Sequence, residues 1–115
     1  MNQRETANQI TNNLLRVINM MPNCVAYRIN NVGVWDAEKQ LHRKGNTERG
    51  LPDIVACMHG LFVAIEVKAG KDKQSVFQQA RQFEIEKSNG LYFVVRKTND
   101  IPEIINFVKQ TNKVM

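Results

Sequence analysis

The chain reads as an α/β domain, a mixed β-sheet flanked by helices. Three observations carry that reading. Ile54-Val55-Ala56-Cys57-Met58, Leu61-Phe62-Val63-Ala64-Ile65 and Leu91-Tyr92-Phe93-Val94-Val95 are nearly continuous apolar runs of strand length. Runs of that kind belong to strands covered on both faces, and so to a sheet between helices. Segments with helical periodicity precede, separate and follow them. The connection from the second run to the third has the length of a crossover, which predicts a parallel, right-handed pairing of those two strands.

The elements follow in order. Residues 5 to 20 predict an amphipathic helix, because Ile10, Leu14, Val17, Ile18 and Met21 keep helical spacing while Asn12 and Arg16 fall opposite. Pro22-Asn23 stops it. Val25 to Ile29 predicts a strand. Residues 30 to 50 are polar and irregular, with Gly33, a basic run, Gly45-Asn46 and a short strand near residues 40–43. A loop of that length in a small domain is usually functional or disordered. Within it, Trp35 reads as a core anchor rather than a base-stacking contact. His59-Gly60 is a two-residue hairpin signal between the first two apolar runs. Ser75 starts a helix reaching about Ser88, and Asn89-Gly90 ends it. Asp100-Ile101-Pro102-Glu103 is a capped start for a last helix, with Ile104, Ile105 and Val108 as its core side. The order is roughly α-β-β-β-β-α-β-α.

At 115 residues the chain has the size of one domain (residues 1–115), and its 43% apolar and 23% charged composition is that of an ordinary globular protein. Cys24 and Cys57 lack close metal-ligand spacing, and Cys57, inside an apolar run, is expected to be a buried free thiol. No apolar run reaches the roughly 20 residues that span a bilayer. The N-terminus lacks a signal-peptide core, so a cytoplasmic setting and no membrane partner are expected. The net charge of +5 suits a polyanionic partner. Its placement adds weight: Lys39, Arg43, Lys44 and Arg49 lead into Pro52-Asp53, and Lys68, Lys71 and Lys73 follow Glu66.

The hairpin turn sets a register. With Met58 facing Leu61, Asp53 comes out opposite Glu66, and such pairs share a face with Cβ atoms roughly 4.5–5.5 Å apart. Lys68 falls on the same face by the strand period of two. Two carboxylates that close repel unless a cation lies between them. A Glu66–Lys68 or Asp53–Lys68 ion pair would explain one such residue. All three on one face point instead to a divalent cation, Mg²⁺ or Mn²⁺, held by Asp53, Glu66 and the Val67 carbonyl, with Lys68 acting on water or phosphate. His42 and His59 have no spaced partner for zinc and read as surface residues.

At this point the chain resembles a known family. Pro52-Asp53 with Glu66-Val67-Lys68 is the PD-(D/E)XK nuclease pattern. Gly50-Leu-Pro-Asp-Ile-Val, Phe62-Val-Ala-Ile-Glu-Val-Lys, Ser75-x-x-Gln78 and Gly90-Leu-Tyr-Phe-Val-Val together look like the virus-type replication–repair nuclease (VRR-NUC) branch, in its small stand-alone phage and bacterial form. The resemblance implies a restriction-endonuclease-like fold and metal-dependent DNA endonuclease activity. It also implies homodimers acting on branched DNA such as four-way junctions. Asp53, Glu66 and Lys68 match the family's catalytic positions and Gln78 its helix glutamine, although Ser75-x-x-Gln78 is also a capping box. Lys39, Arg43, Lys44, Arg49, Lys71 and Lys73 would contact DNA phosphates.

One departure stands out. The family's first-helix glutamate would fall at Ala7, counting back from Ile10, and nearby Glu5 reads as a solvated first-turn residue favouring the helix dipole. That leaves two rivals: a non-cleaving nucleic-acid-binding protein of the same fold, and a sequence-specific restriction-type enzyme.

Overall fold

The structure is a computed structural model that describes residues 4–29, 34–36, 41–43 and 49–114, with backbone alone for 34–36, 41–43 and 113–114. Helix α1 (Ala7–Met20) is followed by strands β1 (Cys24–Arg28), β2 (Val34–Asp36), β3 (Leu41–Arg43), β4 (Ile54–Met58) and β5 (Leu61–Val67). Helix α2 (Val76–Lys87), strand β6 (Leu91–Val95), a 3-10 turn (Thr98–Asp100) and helix α3 (Ile101–Val114) complete it. The main sheet has the order β1-β4-β5-β6, with β5 and β6 parallel and the other neighbours antiparallel. This is the expected mixed sheet flanked by helices. Strands β2 and β3 form a separate two-stranded ribbon, so residues 34–36 add a strand that the sequence reading lacks.

Helix α1 starts later than expected because Thr6 caps it. The Thr6 hydroxyl accepts from the Gln9 amide, and the Gln9 carboxamide oxygen accepts from the Thr6 amide, closing a reciprocal capping box. Ile10, Leu14 and Ile18 are fully buried at four-residue spacing. They pack with Ala56, Met58, Val63 and Ile65 of the sheet and with Ile101, Ile104 and Val108 of α3. Each large aliphatic side chain so buried contributes about 1.5–3 kcal/mol relative to exposure, so this face of the sheet carries the fold. The outward edge of β1 is closed by Asn19, whose carboxamide accepts from the Ala26 amide and donates to its carbonyl.

The opposite face is covered unevenly. Helix α2 lies over β5 and β6, where Ala64, Glu66 and Tyr92 are buried. Strand β4 alternates buried and open, unlike the fully covered strand its apolar run suggests, and Cys57 is exposed. The physical reason is position: Cys57 pairs with Val25 on one side and Phe62 on the other, all three are exposed, and α2 reaches only as far as Phe62. Asp100 also departs from expectation. Its carboxylate accepts from the Arg96 amide, tightening the turn before α3. Among the described residues, no helix is long and apolar enough to cross a membrane.

Candidate active site

The hairpin between β4 and β5 turns at His59 and Gly60, both at positive φ (53° and 82°), as a two-residue primed turn requires. Its register pairs Met58 with Leu61 and Ile54 with Ile65, so the next rung sets Asp53 opposite Glu66. Asp53 lies just before β4, and its backbone carbonyl accepts from the Ile29 amide at 2.9 Å. Its side chain turns onto β5: Oδ2 accepts from the Val67 amide at 2.7 Å. That amide is the first on this edge of β5 beyond the reach of β4, so the carboxylate completes the strand's hydrogen bonding.

The segment leading to Asp53 is clamped from α2. Gly50 sits at φ 77° against the first turn of α2, where an added Cβ would stand 2.3 Å from the Phe77 carbonyl carbon. Arg81 donates to the Arg49 carbonyl at 3.0 Å, the Arg49 guanidinium stacks 5.1 Å from the Phe77 ring centre, and Pro52 is buried.

Glu66 is wholly buried. Oε1 accepts from the Tyr92 hydroxyl at 2.5 Å and from Gln74 Nε2 at 3.3 Å, and Gln74 also donates to Gln82 Oε1 at 2.9 Å. Oε2 has no hydrogen-bond partner among the described residues. Burial pushes the Tyr92 phenol well above its ordinary 10.0, and its bond to Glu66 and that carboxylate's charge push the same way. The phenol therefore stays a donor throughout the neutral range. Lys68 is half-buried, and its amide donates to the Val95 carbonyl at 2.9 Å, one step past the β5–β6 ladder. The strand period then assigns Lys68 to the face of Glu66.

A buried carboxylate oxygen without a partner costs about 1–3 kcal/mol or more, and Oε2 is open to a cation that would offset that cost. The donors at hand, Asp53 and Glu66 carboxylates with the Val67 carbonyl, are hard oxygens. No group of three or more His, Cys, Asp or Glu residues gathers among the described residues. Two carboxylates suit Mg²⁺ or Mn²⁺, which bind few protein oxygens and keep several waters. On these grounds the residues fit such an ion.

No protein-family model matches the sequence, and no curated protein matches it significantly. Among solved structures, one described as a VRR_NUC domain aligns with a TM-score of 0.54, at 16% identity, over 87% of this chain and 90% of that one. This chain has the VRR-NUC fold.

Placed on the VRR-NUC fold, the remaining candidates separate. Gln78 Oε1 accepts from the Ser75 amide at 2.8 Å, so its carboxamide oxygen is committed to the cap of α2. The glutamine that touches Glu66 is Gln74. Lys71, Lys73 and Arg49 are exposed. Lys39 and Lys44 lie outside the described residues, as do the side chains of Trp35, His42 and Arg43. A further, mainly basic group went unread in the sequence: Arg4, Arg96 and Lys97 line one hollow with Glu5 and with Gly70, whose carbonyl accepts from Arg96 at 3.0 Å. Tyr92 was missed as well, although a phenol inside an apolar run requires a partner and was the available signal.

Glu5 corrects the sequence reading. It precedes the cap of α1 and reaches across to the 3-10 turn, accepting from the Thr98 amide at 2.9 Å, from the Thr98 hydroxyl, and from Asn13 at 3.2 Å. The Thr98 hydroxyl and amide hold its carboxyl below the ordinary 4.5, against a small opposing effect of burial. A depressed folded pKa means that this contribution is present above the unfolded value and is lost as pH falls through the folded one. Glu5→Gln is therefore expected to lower the urea midpoint at neutral pH, with wild type and variant converging in acid below the folded pKa. Equal differences at both pH values would remove the charge from the account.

Proposed function

We propose that this protein is a divalent-metal-dependent DNA endonuclease of the VRR-NUC type, selective for branched duplexes and active as a homodimer in the cytoplasm. The observation that carries the reading is the half-satisfied carboxylate: buried Glu66, one oxygen held by two donors and the other open, beside an Asp53 locked onto the next amide of the same strand. A purely structural glutamate would have both oxygens satisfied or lie at the surface.

Asp53, Glu66 and the Val67 carbonyl would hold Mg²⁺ or Mn²⁺, which supplies Lewis-acid polarisation of a phosphodiester and activation of water. Lys68 would place its ammonium against charge developing on the phosphate, or hold the attacking water at Nζ. Arg49, Lys71 and Lys73, with Lys39, Arg43 and Lys44, would align the duplex through phosphates without reading sequence. The hollow at Arg4, Arg96 and Lys97, which Glu5 also lines, would add three cations to that surface past the end of β6. Dimerisation follows from the task, since two cuts at one junction need two sites.

The test is a cleavage panel of linear, flap, forked and four-way substrates with Mg²⁺, Mn²⁺ or EDTA, using wild type, Asp53→Asn and Lys68→Ala. Metal-dependent cutting of the branched substrates, lost in both variants, is the expected result. Discrete fragments from a linear plasmid would favour a restriction-type enzyme. Salt-sensitive binding with no cutting under any metal would favour a non-cleaving binder, a reading suggested by the engagement of Glu5 with Thr98 instead of the acid pair.

A further inference from the structure

Glu66 and Tyr92 lie on adjacent parallel strands. Glu66 pairs with Val94 and Ala64 with Tyr92, so the phenol reaches diagonally along the ladder to the carboxylate. We infer that Tyr92, together with Gln74 braced by Gln82, is a positioning device that fixes Glu66 with Oε1 occupied and presents Oε2 alone to a divalent cation. The inference rests on the metal-dependent reading above and adds residues to it.

Three features support the assignment. First, both donors converge on the same oxygen. A carboxylate satisfied for structural reasons alone would share two donors between its oxygens, whereas here Oε1 takes both and Oε2 none. Second, both donors are neutral. An arginine or lysine at the same place would hold the carboxylate equally well but cancel the charge a cation needs. A phenol and a carboxamide orient it and leave that charge in place. Third, the brace has one workable orientation. Gln74 Nε2 donates to Glu66 Oε1 and to Gln82 Oε1; the Gln82 amide can turn to donate but the carboxylate cannot, so reversing Gln74 would set its oxygen against Glu66. The bond to Gln82 therefore ties the aim of Gln74, and through it that of Glu66, to helix α2. Tyr92 and Gln74 are positioning residues because they act through Glu66.

The experiment measures Mn²⁺ affinity by loss of the free-ion electron paramagnetic resonance signal, without DNA, for wild type, Tyr92→Phe and Gln74→Ala, each with its metal-free melting midpoint. Tyr92→Phe is expected to weaken Mn²⁺ binding by about 10-fold or more, in the range for residues that orient metal ligands. The Mn²⁺ concentration for half-maximal cleavage should rise by the same factor, with the rate at saturating Mn²⁺ largely kept. Gln74→Ala, outside the core, should shift affinity in the same direction and gives the answer if Tyr92→Phe does not fold. Unchanged Mn²⁺ affinity in a folded variant, with or without a lower melting midpoint, overturns the inference and leaves the nuclease reading standing. Failure of the wild type to bind Mn²⁺ overturns both.

Discussion

Asp53→Asn is expected to reduce cleavage by about a thousandfold or more while the protein remains folded. A cation positioned on a reacting phosphate supplies several kcal/mol of charge stabilisation, and each 1.36 kcal/mol is about tenfold in rate. The asparagine oxygen still accepts from the Val67 amide, so the geometry that Oδ2 provides at 2.7 Å is retained. Only charge is lost. Because Asp53 lies opposite Glu66, removing one of two like charges should leave the metal-free melting midpoint unchanged or slightly higher. The increase in midpoint on adding Mn²⁺, which measures binding to the folded state, should shrink or vanish. Asp53→Ala adds a second effect, a Val67 amide without its acceptor, for a further loss of about 1–3 kcal/mol in stability. Cleavage kinetics and melting of the two variants together separate the anion's role from the scaffold's. Near-wild-type cutting by Asp53→Asn would remove Asp53 from the reaction.

Among the described glycines, Gly50→Ala should have the largest effect on stability. The new Cβ would stand 2.3 Å from the Phe77 carbonyl carbon, 2.4 Å from its oxygen and 2.7 Å from the Gln78 nitrogen, at a φ of 77°. All three atoms are backbone of a capped helical turn and cannot rotate aside. Left-handed strain alone costs about 1–3 kcal/mol, and forced repacking a similar amount, so a loss of about 3 kcal/mol or more is expected. For a domain of this size that lowers the melting midpoint by roughly 10 °C or more. Gly60→Ala is the matched control: φ is 82°, yet nothing lies within 4 Å of its added Cβ, so strain acts there without collision. Similar melting of the two variants would show that Gly50 matters for its dihedral angle and not for its contact with α2.

Much of the scaffold was legible because its signals are local. His59-Gly60 set the hairpin register, and the Met58–Leu61 and Ile54–Ile65 pairs follow from it. The crossover length foretold the parallel β5–β6 pair. What stayed hidden depends on which groups meet across the fold. The apolar run of β4 could not reveal that α2 stops short of it, leaving Cys57 exposed. Glu5 looked solvated because its partner, Thr98, is remote in sequence. Gln78 had two uses by spacing alone, and the bond to Ser75 shows the capping one. Gln74 had no periodicity to flag it, because it sits in the connection between β5 and α2.

Helix α2 buries none of its residues, and Val76, Phe77 and Phe83 are 78%, 50% and 67% exposed. Yet through Gly50, Arg81 and Gln82 it braces both acids. Cohesion of the acid pair is thereby uncoupled from that of the core: partial opening of one lightly anchored segment would scatter the two carboxylates while β4 and β5 stay zipped. Amide hydrogen exchange should find α2 releasing its protons well before the hairpin, with Mn²⁺ narrowing the gap, and uniform protection of both would contradict that hierarchy. An acid pair braced this way would be stiffened by a bound cation and go slack without one.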